Sequence, residues 1–149
     1  MAGYSFLVLC SAVLAISFQS AVAISDEERA KIIADMLPHV TECSKEFSVT
    51  PEQIKNEGKT GSLDGCIIKC IMKRVGIIDD QGLFDVAKAL ELTKQHISDP
   101  EELKTLEEGI NKCASVNDQA VSDGTEGCER AKLLVECAKP YKAQFVPVA

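Results

Sequence analysis

Two cysteines four positions apart, Cys66 and Cys70 in the segment CIIKC, restrict this chain more than any other feature of its sequence. Such a pair can hold a metal ion, carry out redox chemistry, or tie one helix to two other parts of the chain. The choice depends on the compartment in which the protein is found and on its other cysteines. Outside the first 23 residues, those are Cys43, Cys113, Cys128 and Cys137.

The first 23 residues have the composition of a secretory signal peptide. They contain no Lys, Arg, Asp or Glu, and an apolar run from Phe6 to Phe18 precedes Ala21-Val22-Ala23, which fits a small-residue cleavage site. A membrane anchor is the alternative, but the apolar run is short for a bilayer span and no basic cluster follows it. The sequence therefore predicts a signal peptide over 1–23 and a secreted, extracellular domain over 24–149.

The cysteine count indicates disulfides. Cys10 lies in the predicted signal peptide, and an even number of cysteines remains in the secreted part, which is typical of three disulfides. A zinc site is disfavoured, because thiolates oxidise in that compartment and the two histidines, His39 and His96, lack finger-like spacing. Thioredoxin-type chemistry requires two residues between the cysteines, and CIIKC has three. We expect structural disulfides, no metal and no cofactor.

Length and charge exclude further classes of protein. A chain of 149 residues without a repeat or a second apolar span suits one folded domain. Its net charge is −7, and all charged residues follow the leader without forming a Lys/Arg cluster. Such a surface disfavours nucleic acids and anionic membranes as partners. We therefore expect neither nucleic-acid binding nor stable membrane insertion.

Helix signals recur along the secreted part, and no alternating strand pattern accompanies them. Ser25 and Glu28 form a capping box, and Thr50 with Gln53 forms another. The sequence predicts an all-α domain with helices over about 25–47, with a kink or restart at Pro38, and over 51–58, 63–75, 86–95, 100–113 and 128–139.

Apolar periodicity assigns faces to two of these helices. Ala30, Ile33, Leu37 and Val40 fall on one stripe of the first helix. The helix that contains CIIKC has a wide apolar face, built on Ile67, Ile71 and Val75 and broadened by Ile68 and Met72. This width predicts a central position in the fold.

Helix geometry restricts the disulfide pairing without deciding it. Cys66 and Cys70 lie on one face, one turn apart, and a bond between them would close almost no loop. Cys128 and Cys137 are half a turn out of phase and roughly 13 Å apart along a helix axis, too far to bond. Excluding these two pairs leaves ten of the 15 pairings that six cysteines allow, and the residues alone do not choose among the ten.

The complete spacing resembles a known family. The intervals between successive cysteines are 22, 3, 42, 14 and 8 residues, and in this order they resemble the insect odorant-binding proteins of the pheromone and general odorant-binding family. The C-x3-C and C-x8-C intervals are the family's most fixed spacings. The segment GIIDDQG followed by LFDVAKAL is also similar to the family's segment after the third cysteine.

The resemblance implies a fold, a pairing and a function. The pairs would be Cys43–Cys70, Cys66–Cys128 and Cys113–Cys137. The fold would be six or seven short helices that enclose a hydrophobic pocket and are held by three interlocked disulfides. The protein would be a monomer or weak homodimer that carries small hydrophobic odorants or pheromones through aqueous sensillum fluid, with an odorant receptor as a further partner.

The candidate pocket residues are inward apolar positions on several helices and one residue of the tail. Phe145, in the C-terminal segment that follows Cys137, could fold across the pocket mouth as a lid. The candidates are Met72, Val75, Phe84, Ala87, Leu90, Leu106, Ile110, Leu134, Ala138 and Phe145. Each of the helical positions could equally be ordinary core.

Other functions also fit parts of the sequence. Within the family, the chain could carry small lipids in haemolymph, saliva or reproductive fluid. A saposin-like membrane-active protein also has six cysteines and short helices, but this acidic chain lacks the basic apolar face expected for membrane work. No nucleophile or metal motif appears, so we expect no enzyme and no catalytic residues.

Overall fold

Residues 24–141 are described by the computed structural model, so the predicted signal peptide and the tail with Phe145 lie outside the described residues. The described part contains six α-helices, two short 3-10 helices and one isolated β-bridge between Ile78 and Phe84. The α-helices are α1 (Asp26–Glu46), α2 (Pro51–Thr60), α3 (Gly65–Val75), α4 (Val86–His96), α5 (Pro100–Cys113) and α6 (Cys128–Ala138). The 3-10 helices are Ala114–Asp118 and Lys139–Tyr141. The all-α prediction is confirmed.

Side-chain caps start most of the helices where the sequence predicts them. Ser25 caps α1 in a capping box with Glu28, and Thr50 caps α2 in a second box with Gln53. Asp85 and Asp99 accept hydrogen bonds from backbone N–H groups in the first turns of α4 and α5. Each cap satisfies donors that a helix start otherwise leaves unpaired.

Two helix boundaries differ from the prediction. Helix α2 continues past Gly58 and ends at Gly61, where φ is +75°. A glycine inside a helix costs only about 1 kcal/mol, whereas a residue in the left-handed conformation ends it. Helix α3 begins at Gly65 rather than Leu63, because the side chain of Asp64 accepts a hydrogen bond from the Cys66 N–H and so caps the helix.

The predicted apolar face of α1 is wrong except at Val40, which packs against the core. Ile33 and Leu37 are 51% and 55% exposed, and Pro38 lies inside one continuous helix. The inward face instead carries Ile32, Met36, Val40 and Cys43. The disulfide at Cys43 ties α1 to α3 and fixes which face turns inward. Because both stripes recur at helical spacing, periodicity alone does not distinguish them.

Three disulfides join the helices, and α3 lies between α1 and α6. The bonds are Cys43–Cys70 from α1 to α3, Cys66–Cys128 from α3 to α6, and Cys113–Cys137 from α5 to α6. These are the pairs that the family resemblance implies. Their loops span 27, 62 and 24 residues. The chain-entropy model assigns roughly 3.5 to 4.5 kcal/mol to loops of this size, enough to hold short helices that are marginal alone.

Candidate binding cavity

A small cavity lies between α5, α6 and the segment that leads into α4. Its volume is about 60 Å³. Among residues 24–141, its walls carry aliphatic and aromatic side chains and the disulfide-bonded Cys113, and none of these lining residues is charged. They are formed by Phe84, Leu106, Gly109, Ile110, Cys113, Leu134, Ala138 and Tyr141. Such a lining can exclude water from an apolar molecule.

Helical spacing brings two walls of the cavity together. Leu106, Ile110 and Cys113 follow one another at intervals of four and three along α5, so they share one face. Leu134 and Ala138 are four apart on α6 and face them. The Cys113–Cys137 disulfide, with a Cα–Cα distance of 5.8 Å, fixes α5 against α6 beside the cavity.

Phe84 forms the third wall and is held by its backbone. Its N–H donates to Oδ1 of Asn117 at 2.8 Å, and its carbonyl oxygen accepts from Nδ2 of the same side chain at 2.9 Å. The β-bridge to Ile78 supports the segment from the other side. One amide therefore positions the ring, although the residues are 33 apart in sequence.

Gly109 and Tyr141 form the wall of the cavity at the end of the described chain. A Cβ atom built at Gly109 would lie 3.1 Å from ring atoms of Tyr141, so the ring packs directly on the α5 backbone. Tyr141 is only partly buried and belongs to the 3-10 helix that ends the described residues. Among the described lining residues, it is the one titratable side chain.

A second concavity is larger and is lined by charged residues. It measures about 700 Å³ and is lined by Lys69, Lys73, Arg74, Glu46 and Glu126 beside two disulfides. Lys73 pairs with Asp80 at 2.9 Å and Arg74 with Glu46 at 3.3 Å. An apolar molecule there would displace water from charged groups without replacing their hydration. The smaller cavity is therefore the candidate site.

The described residues offer neither a metal site nor a membrane span. In 24–141, no group of His, Cys, Asp and Glu side chains is placed to hold a metal ion. In the same range, no helix combines the length and the apolar character needed to cross a bilayer.

Comparison with known proteins identifies the family. The PBP/GOBP family model matches residues 25–141, which include every helix and all three disulfides. The chain belongs to the PBP/GOBP family. It is 29% identical over 117 residues to general odorant-binding protein 28a of Drosophila melanogaster, covering 75% of this chain and 77% of that protein.

A solved structure has the same fold. It is the odorant-binding protein dmelOBP28a from Drosophila melanogaster, which matches with a TM-score of 0.58. The match covers 79% of this chain and 99% of that structure at 24% identity. The family resemblance drawn from the cysteine spacing is confirmed.

The structure brings five of the predicted pocket residues to the cavity. They are Phe84, Leu106, Ile110, Leu134 and Ala138. The other helical candidates lie elsewhere: Ala87 is exposed, Val75 and Leu90 are partly buried away from the lining, and Met72 packs against the core around the cavity. These four lie on α3 and α4, which do not line it.

Sequence reasoning missed three lining residues. Gly109 interrupts the pattern of α5, and a glycine inside a helical pattern often signals close packing. Cys113 was assigned only to a disulfide, yet its side chain also lines the cavity. Nothing local in the sequence indicates that Tyr141 returns to α5.

Proposed function

We propose that this PBP/GOBP-family protein is a secreted carrier that binds small hydrophobic odorants or pheromones in the cavity between α5 and α6. The observation that carries the proposal is the lining itself: eight of the described residues converge, and none of the eight is charged. Removing apolar surface from water is worth about 25 cal/mol per Å². The chain's family membership supports the same role.

The cavity has to widen to take a ligand. Ligand pockets commonly measure about 300–1,000 Å³, whereas this one measures about 60 Å³. Tyr141 is the wall best placed to move, because it is partly exposed and belongs to the last described turn rather than to a long helix. Displacing its ring from Gly109 would open the cavity toward the surface. The free energy of opening then lowers the apparent affinity.

The proposal extends to the route of the carrier. It includes cleavage of residues 1–23 as a signal peptide, transport through aqueous fluid as a monomer or weak homodimer, and delivery to an odorant receptor. The net charge of −7 supports solubility at high concentration. Binding and release require no catalytic step.

Displacement of a fluorescent probe tests the proposal. The chain has no Trp, so the probe supplies the signal. Alkyl alcohols, esters and acids should be compared with aromatic ligands, because the lining combines aliphatic side chains with the rings of Phe84 and Tyr141. We expect micromolar binding of aliphatic ligands of moderate length. If no apolar ligand displaces the probe at any pH from 5 to 8, the carrier proposal is wrong.

A further inference from the structure

Glu102, in the first turn of α5, is buried without a complete set of partners. It is 1% exposed, one of the most deeply buried side chains of the described chain. Its carboxylate accepts a hydrogen bond from the backbone N–H of Ile24. Its Oε1 has no hydrogen-bond partner among residues 24–141. A buried carboxylate with a free oxygen costs several kcal/mol unless a cation or donor meets it.

Most of the charged groups near Glu102 are carboxylates. Glu28 of α1 and Asp99 at the start of α5 lie close enough to disfavour a further negative charge, and Arg29 of α1 is the cation that opposes them. Burial, followed by Glu28 and Asp99, raises the pKa of the Glu102 carboxyl, while the hydrogen bond from Ile24 and the charge of Arg29 lower it. Carboxylates therefore outnumber cations at this point.

Ile24 is the first residue after the predicted cleavage site. It is 3% exposed and packs in a cluster with Ile97 and Leu106. The next residue, Ser25, caps α1, and Glu28 accepts hydrogen bonds from the N–H and Oγ of Ser98 at 2.8 and 2.6 Å. The start of α1 is thus fixed against the junction of α4 and α5, with the Ile24 nitrogen directed at Glu102.

We propose that Glu102 is the binding site for the α-ammonium group of the mature amino terminus, which is created by cleavage after Ala23. Hydrolysis of the Ala23–Ile24 peptide bond consumes one water and leaves a carboxylate on Ala23 and an ammonium on Ile24. The nitrogen that donates one N–H to Glu102 in the uncleaved chain then has three N–H donors and a positive charge. One of the two new donors can meet the free Oε1.

This ion pair can form only after the leader has been removed. Cleavage would therefore contribute to the stability of the folded domain. The pair supplies a second cation beside Arg29 at a point where Glu28, Asp99 and Glu102 carry carboxylates, and it ties the start of α1 to α5. Leu106, one turn beyond Glu102, lines the cavity, so the tie lies at one end of that wall. The inference depends on the proposed cleavage site but not on the proposed carrier function.

The test compares four proteins, which combine two different amino termini with either Glu or Gln at position 102. The full-length gene is expressed in a secreting cell, once as it stands and once with Gly-Ser inserted after Ala23, and each is made with Glu102 and with Glu102→Gln. Mass spectrometry of the secreted proteins establishes their first residue. Thermal unfolding at pH 7 then gives four melting temperatures.

Glu102→Gln should change the melting temperatures of the two chains in opposite directions. In the chain that begins at Ile24, the substitution removes the ion pair and should lower Tm by about 4 °C or more. In the extended chain, it replaces a buried carboxylate whose Oε1 lacks a hydrogen-bond partner by a neutral amide and should raise Tm. Glu101→Gln, an exposed change one residue away, is the matched control and should act equally on both chains. A Glu102→Gln effect of the same sign in both chains, or a secreted chain that begins elsewhere than Ile24, would overturn the proposal.

The unsubstituted protein supplies a second readout if a variant does not fold. Pairing with Glu102 raises the folded-state pKa of the Ile24 α-amino group above its ordinary value of about 7.7–8.0. Stability from the pair is then complete below that ordinary value and is lost as the pH rises through the raised one. The pH dependence of α-amino acylation, read by mass spectrometry, reports this pKa. An ordinary pKa in the chain that begins at Ile24 would overturn the proposal.

Discussion

Gly65 is the residue on which the contact between α3 and α6 depends. A Cβ atom at this position would lie 2.5 Å from the carbonyl oxygen of Cys128, well inside contact distance. The next residue, Cys66, forms the disulfide to Cys128 with a Cα–Cα distance of 4.4 Å. Only glycine permits two helices to approach this closely.

We expect Gly65→Ala to lower the free energy of unfolding by about 2 kcal/mol, because the two helix backbones must separate. Gly58→Ala is the matched control. Gly58 lies inside α2, and a Cβ atom there would meet nothing within 4 Å. That substitution should raise stability by up to about 1 kcal/mol. Denaturant unfolding of the oxidised proteins measures both, and equal effects would contradict the close approach.

The ionised Glu28 carboxylate stabilises the fold, so the stability of the protein falls in acid. Hydrogen bonds from Ser98 and Ser25 lower the pKa of its carboxyl to about 2. A depressed folded-state pKa contributes stability that is complete above the unfolded value of about 4.5 and is lost as the pH falls toward 2. The melting temperature of the wild type should therefore exceed that of Glu28→Gln at pH 6, and the difference should shrink below pH 4.5.

The control for Glu28 is its neighbour Glu27, which is exposed and pairs with Lys31 at 3.0 Å. Glu27→Gln should change stability by no more than about 1 kcal/mol, since exposed ion pairs contribute little. A difference between wild type and Glu28→Gln that stays constant from pH 6 to pH 2 would show that the hydrogen bonds to Ser98 and Ser25 do not depend on the charge.

At the residue scale, the sequence predicts contacts between residues that are close together in the chain. The capping boxes at Ser25 and Thr50 are visible because the interacting residues are three apart. The role of Gly65 is not visible, because its neighbour Cys128 is distant in sequence and brought near only by the fold. The buried position of Glu102 was missed for a similar reason: a Glu in the first turn of a helix ordinarily faces solvent.

At the scale of elements, Asn117 links two segments that shape the cavity. It follows α5 in the first 3-10 helix and binds the backbone of Phe84 just before α4. Asn117→Ala would leave an N–H and a carbonyl of a largely buried segment without partners. We expect a loss of about 2 kcal/mol of unfolding free energy and weaker ligand binding, because Phe84 is no longer fixed.

Asn111→Ala supplies the comparison. Asn111 is exposed on α5, so its substitution should change stability by no more than about 0.5 kcal/mol and leave binding unchanged. Thermal unfolding and probe displacement measure the two consequences separately. If Asn117→Ala resembles Asn111→Ala in both measurements, the amide does not position Phe84.

The helices themselves were largely predictable, whereas their orientation was not. Caps and glycines gave the helix positions to within a few residues. The face of α1 was predicted wrongly because Ile33 and Leu37 are as apolar as Ile32 and Met36, and only the disulfide at Cys43 selects between them. The sequence predicted the lining residues on α5 and α6 correctly, except Gly109 and Cys113. It also predicted Ala87 and Leu90 as lining residues, which is wrong, because an apolar position on a helix does not reveal which neighbouring element that side chain meets.

At the scale of the whole molecule, three disulfides connect short helices around a small apolar cavity. Helix α3 carries two of the bridges and reaches α1 and α6 through them. The third bridge lies in the cavity wall. The spacing of the cysteines was sufficient to indicate the family, and the family resemblance implied the pairing and the fold, whereas the spacing alone left ten pairings open. The volume of the cavity depends on side-chain packing and could not be predicted.

The central claim is that apolar ligands bind in the cavity between α5 and α6. Two variants, each with one alanine replaced by leucine, test it most directly. Ala138→Leu adds three carbons inside the cavity, whereas Ala87→Leu adds them to an exposed face of α4. We measure the dissociation constant of the tightest ligand from the displacement screen for wild type and both variants. The account predicts at least tenfold weaker binding to Ala138→Leu, about 1.4 kcal/mol, and unchanged binding to Ala87→Leu. Equal affinity in all three proteins would contradict it.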